Sequence, residues 1–161
     1  MIESGGLDAA VVVRGVGDPA PIGTETRWRE PMVWVARDLQ VVATRPVPVV
    51  LRGGRSVSAT VACSALRRWA GSWRVAATCE GWVALLAAVR AGYGATPLPV
   101  TVLAEDLVVV PPTILPPPGE MEVQGVLVRR ALSPWLAAVR AAAEVVRASR
   151  ARVRDTSPVD A

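Results

Sequence analysis

Residues Trp73 to Pro99 read WRVAATCEGWVALLAAVRAGYGATPLP, and this stretch by itself sets the fold class. Val75 to Ala77 predicts a short strand. The polar link Thr78, Cys79 and Glu80 leads into a helix. Its Trp82, Leu85, Leu86 and Val89 fall at i, i+3, i+4 and i+7, a single apolar stripe that predicts a core position for Trp82. Gly92 and Gly94 stop that helix on either side of Tyr93. Ala95 to Pro99 follows as a second strand. Strand, polar loop, helix and strand make one α/β unit. Its loop presents polar atoms at a helix start, where backbone N–H groups have no intrahelical partner.

Upstream, Leu7 to Val13 (LDAAVVV) is the kind of continuous apolar run that a strand buried on both faces needs. Trp28 to Ala36 and Pro46 to Leu51 predict two more strands, with prolines at their heads where a missing donor is tolerated. Val57 to Ala70 predicts a helix lined by Val57, Val61, Leu66 and Trp69, capped by Ser56 or Ser58. Downstream, Leu107 to Val110 and Val123 to Arg129 are strand candidates. Ser133 followed by Pro134 opens a final helix with Leu136, Val139, Ala143 and Val146 on its buried face. Alternating strands and helices predict an α/β fold with a mostly parallel sheet. Long apolar strands outnumber convincing crossover helices. That imbalance fits an incomplete or two-lobed arrangement better than one symmetric doubly wound sheet.

Composition removes several function classes. At 161 residues the chain has room for one domain or two small lobes, and its apolar fraction of 52% supports a packed core. No segment approaches 18 uninterrupted apolar residues, so a membrane span is not expected. Glu3 and Asp8 sit where a signal peptide needs a basic and then an apolar run, and the expected location is cytoplasmic. Cys63 and Cys79 are too few for a disulfide framework or a metal cluster. All 18 basic residues are Arg, and Ala, Arg, Gly, Pro and Val dominate, as in the product of a GC-rich gene. The net charge of +4 is therefore discounted as a sign of DNA contact. The cluster Arg140, Arg147, Arg150, Arg152 and Arg154 reads as a solvated helix end, and 149–161 as a basic, disordered tail.

Catalysis fares no better. Without His there is no Ser-His-Asp triad and no Cys-His pair, and a usual zinc site is short of ligands. Carboxylates are scattered, no phosphate-binding glycine pattern is present, and the phosphate lysine is missing outright. The chain is not expected to be an enzyme, and no catalytic residue, cofactor, metal or DNA-binding residue is nominated. Ligand binding without turnover survives. One candidate surface is Gly54, Arg55 and Ser56 with Arg52; the other is Thr78, Cys79 and Glu80. Exposed N–H groups there can hold a polar or anionic molecule. The plainer alternative is that Ser56 and Thr78 cap helices, Cys79 is a buried thiol and the arginines face water.

Four blocks in order resemble the effector-binding region of LysR-type transcriptional regulators. Glu3 to Arg14 (ESGGLDAAVVVR) is similar to that family's "SGELDLALV.R". Arg29 to Asp38 (REPMVWVARD) resembles "REPLVWVA..D", and Trp73 to Pro99 resembles "WRVA.TS.S...L.AAV.AGLGVT.LP". Leu115 to Arg129, with Leu132, Ser133 and Pro134, resembles "LPPLP..EI.L.R....LSP". The resemblance implies an α/β fold of the type II periplasmic-binding-protein kind, two α/β lobes around a cleft with the first lobe incomplete. Residues 1–148 would form the partial effector domain, with approximately 40–98 as its second lobe. Arg52, Gly54, Arg55, Ser56, Thr78, Cys79 and Glu80 become effector-binding candidates, and Arg14, Thr96 and Pro97 cleft or hinge candidates.

Departures from the pattern are specific. Leu39 and Gln40 replace a His-Pro pair. Arg52 to Ala59 (RGGRSVSA) stands where the family has "FP.GC..R". Cys79 and Gly81 replace the two serines of "TS.S", and Tyr93 replaces a usual Leu. The family's winged helix-turn-helix, its linker helix and the opening of its first lobe have no counterpart before the first matched strand. The resemblance thus implies a small-molecule effector domain that reaches DNA only through a missing N-terminal domain, with a homo-oligomer or a related regulator as further partner. The alternatives are a stand-alone small-molecule-binding or interaction module and a non-functional truncated regulator.

Overall fold

The computed structural model describes residues 8–127 and 133–155. In chain order its strands are β1 (Ala9–Gly15), β2 (Thr24–Ala36), β3 (Val47–Arg52), β4 (Trp73–Cys79), β5 (Thr96–Pro99), β6 (Val108–Val109) and β7 (Gly119–Leu127). The helices are α1 (Val57–Arg68), α2 (Trp82–Arg90) and α3 (Ser133–Asp155). The chain divides into two compact units, Met1–Glu30 with Glu120–Ala161, and Pro31–Gly119.

In the unit Pro31–Gly119, β3 pairs in parallel with β4, Leu51 opposite Thr78 and Arg52 opposite Cys79. The other edge of β3 bonds the residue before β5: Val50 N–H donates to Ala95 C=O at 2.8 Å, and Ala95 N–H to Pro48 C=O at 3.0 Å. β5 and β6 both pair antiparallel with the second half of β2. The chain therefore leaves β3 for β4 on one side, then returns across β3 to β5 on the other. Right-handed crossovers in opposite directions must lay their helices on opposite faces, and the packing agrees. Val47, Val49 and Leu51, with Trp34, Ala36 and Ala95, pack against Ala62 and Leu66 of α1. Val50, with Val35 and Leu98, packs against Leu85 and Val89 of α2. Alternation along each strand supplies both layers.

In the other unit, β7 pairs antiparallel with β1, from Ala9 opposite Leu127 to Gly15 opposite Met121, and is bonded to β2 on its other side. α3 lies over this sheet at Gly125. A Cβ there would come within 2.8 Å of Thr26 Cγ2 and 3.0 Å of Val139 Cγ1, so the missing side chain lets the helix pack closely. Val139 and Ala143 are buried, as the helical spacing predicts.

Several expectations need correction. The mostly parallel sheet is wrong: among the described pairs only β3–β4 and the Val49–Ala95 bridge are parallel. Only two crossover helices join the strands, and parallel pairing needs a crossover for each step. β1 is not covered on both faces, because Val11 and Val13 are 53% and 42% exposed. α1 buries Ala62, Ala65 and Leu66 most fully, whereas Val57, Val61 and Trp69 are only half-buried. Residues 149–155, read as the start of a tail, continue α3; Ala and Arg are strong helix formers. Leu7, the stretch 128–132 and the end 156–161 lie outside the described residues.

Candidate functional site

Between β3 and β4 the following helices depart to opposite faces of the sheet. The loops that follow β3 and β4 lie outside the carboxyl ends of adjacent parallel strands, the end of an α/β sheet where ligands are received. Because Arg52 and Cys79 are register partners, the loop after β3 and the loop after β4 meet there. Gly53 N–H donates to Cys79 C=O at 2.8 Å. A Cβ on Gly53 would collide with Glu80 Oε1 and come within 3.1 Å of Thr78 Cγ2. The Glu80 carboxylate therefore lies directly over Gly53. Gly54 continues the turn in the left-handed region, φ +65°.

Ser56 caps α1, its Oγ accepting from Ala59 N–H at 3.4 Å, and lies 3.0 Å from Ser58 Oγ. Both serines are buried. Arg52 Nε donates to Ser56 Oγ at 3.3 Å, and its guanidinium carbon stands 5.3 Å from the Trp82 ring centroid. Arg52 is thus braced from two sides without a carboxylate in salt-bridge range among the described residues, whereas Arg29, Arg37 and Arg90 each hold one. Cation–π contact of this kind favours a fixed guanidinium over a mobile one.

Of the seven effector candidates, the fold brings Arg52, Gly54, Ser56, Thr78, Cys79 and Glu80 to this corner, and leaves Arg55 exposed on the loop between. Thr78 does not cap a helix. It belongs to β4, and the cap of α2 is Gly81, which has no side chain to bond the free N–H groups. Thr96 and Pro97 lie on β5, opposite Val35 and Trp34 in the middle of the sheet. Thr96 is fully buried and its Oγ1 has no hydrogen-bond partner. Arg14 belongs to the other unit, opposite Glu122 in the β1–β7 register.

Sequence reasoning missed the exposure of Trp82 beside Arg52 and the closeness of Gly53 to the Glu80 carboxylate. Its place on the apolar stripe predicts a core position for Trp82, and the structure differs. It is 39% exposed, because as the first residue of α2 it has no preceding helical turn to pack over. No cluster of three or more potential metal ligands occurs among the described residues. No helix of those residues is long and apolar enough to cross a membrane.

Solved structures supply the comparison. The effector domain of the transcriptional regulator AmpR of Pseudomonas aeruginosa superposes with a TM-score of 0.54 at 21% identity, over 95% of this chain and 79% of that one. The C-terminal domain of a probable LysR family transcriptional regulator from Rhodococcus sp. RHA1 gives 0.53 at 20% identity, over 92% and 74%. The fold is that of LysR-type effector-binding domains. Full-length CbnR, solved in complex with its target DNA, matches at a TM-score of 0.54 and 20% identity, over 92% of this chain and 54% of its own. The chain thus spans about half the length of that regulator. No protein-family model matches the sequence, and neither does any curated protein.

Proposed function

We propose that this chain is the small-molecule-sensing part of a LysR-type transcriptional regulator, acting in the cytoplasm and without catalytic turnover. Residues 1–148 form its effector domain, and promoter binding belongs to a domain outside this sequence. The observation that carries the reading is the corner at the carboxyl ends of β3 and β4. Two loops that follow adjacent parallel strands converge there, with a braced Arg52, the Ser56–Ser58 pair, a bare Gly53 and the uncapped start of α2. Such a corner can hold a polar molecule by charge and by oriented N–H groups. A molecule held there favours whichever arrangement of the protein binds it better, and that differential affinity is what a regulator transmits.

Thermal unfolding in the presence of a panel of small organic acids and amines tests this reading. At least one compound should raise Tm saturably, and Arg52→Ala should weaken that response at least tenfold in concentration. A folded protein that answers to no compound, or answers equally with Arg52 removed, refutes the assignment of this corner.

A further inference from the structure

β1 lies in the unit Met1–Glu30 with Glu120–Ala161 and ends its sheet, with β7 on one side and no strand among the described residues on the other. Such an edge presents a row of backbone N–H and C=O groups to any strand that can reach it. Residues 8–15 read DAAVVVRG, an acid at one end and a base near the other. Asp8 is exposed, just before the strand. Arg14 holds no carboxylate among the described residues, although Glu122 stands opposite it in the β1–β7 register. Its Nε is buried without an acceptor, and a cation so placed lacks the pairing that offsets its desolvation. Between the two charges Val11 and Val13 are exposed. The β1–β7 register runs without a shift from Ala9 to Gly15, so side chains alternate regularly. Ala9, Val11 and Val13 share one face, and Ala10, Val12 and Arg14 the other.

We infer that β1 is the pairing edge for a second copy of this chain, antiparallel, about a two-fold axis through Val11. When a strand pairs with itself, backbone groups that point away from β7 must meet their like. Residues of the same parity therefore face each other, and the axis passes through a residue. Of the registers this leaves, only the one centred on Val11 sets Asp8 of each copy opposite Arg14 of the other. Ala9 then faces Val13, Ala10 faces Val12, and Val11 faces its own counterpart. The exposed valines fall inside the joint, and a carboxylate and a guanidinium close each end of it. Opposite charges directly across a strand pair favour this register and like charges oppose the others. The joint uses no residue of the Arg52 corner, so it stands or falls without that site.

Sedimentation velocity on the full chain should show a reversible monomer–dimer equilibrium. Asp8→Arg and Arg14→Asp each set like charges across both ends and should weaken it at least about tenfold. An equimolar mixture of the two variants should associate again, because every facing pair in the mixed dimer is then of opposite sign. Val11→Cys should form an intermolecular disulfide under mild oxidation, since Cα atoms facing across the axis lie about 4.5–5.5 Å apart. Val13→Cys should not, because its two copies stand four residues apart along the strand, about 13 Å. The unaltered chain, with Cys63 and Cys79, sets the background for both. Asp8 lies outside β1, so Asp8→Arg and the cysteine pair decide if Arg14→Asp fails to fold. A chain that stays monomeric throughout the micromolar range overturns the inference. So does a dimer indifferent to the charge reversals, which belongs to another surface, or a mixture that associates no better than its parts. Equal cross-linking at positions 11 and 13, or open-ended aggregates in place of a dimer, overturns it too.

Discussion

Ser56 serves three groups at once, bonding Ala59 N–H, Ser58 Oγ and Arg52 Nε. Ser56→Ala should cost about 1–2 kcal/mol in chemical denaturation, because cap loss is joined by a stranded buried hydroxyl. Gly94 is held by closeness alone. A Cβ there would sit 2.6 Å from Pro48 O, a backbone atom that cannot swing away. Gly94→Ala should therefore destabilise by at least about 2 kcal/mol on the same measurement. On the surface, Arg90 grips Asp106 through Nε–Oδ2 at 2.6 Å and Nη2–Oδ1 at 3.0 Å. The hydrogen bond from Arg90 holds the Asp106 carboxyl below its ordinary 3.8. A depressed carboxylate contributes stability above its unfolded value, and that contribution is lost as pH falls through the folded one. Carboxyl 13C titration should place the Asp106 midpoint below 3.8, and Arg90→Ala should return it upward. Both side chains are about half exposed, so salt should narrow the difference.

The β3–α1–β4–α2–β5 run is where pattern and packing agree best. Leu85 and Val89, picked out by helical spacing, are the buried residues of α2. Leu85→Ala should cost about 2–5 kcal/mol in denaturant unfolding, since the facing Val35, Val50 and Leu98 are held in strands and cannot collapse inward. The same spacing misplaced Trp82. A stripe reports the face of a helix but not where its first residue ends up, and at the first turn no earlier turn exists to cover the side chain. Arg52 and Trp82 are thirty positions apart in sequence. They meet because β3 and β4 are neighbours in one particular register, which no local signal encodes.

At the scale of the molecule, β1 is the strand whose environment differs most from its sequence pattern. Its run of valines reads as doubly buried, yet Val11 and Val13 are exposed, and β1 ends the strand order among the described residues. Apolar edges of this kind pair readily with other chains unless a charge interrupts them. Val11→Lys should reduce concentration-dependent association in sedimentation. Its thermal stability should change little, since the position is more than half exposed.

Periodicity and turn chemistry determined which segments are helices and strands, where α1 is capped, and which residues of α2 face inward. These depend on neighbours within a few positions. Composition determined which chemistries are out of reach, because a triad without His cannot be built by any fold. Strand direction was decided only by tertiary structure: an apolar run pairs equally well either way, and its partner is set by the path of the whole chain. The same holds for the candidate site. The Arg52–Trp82 corner depends on a register between distant strands.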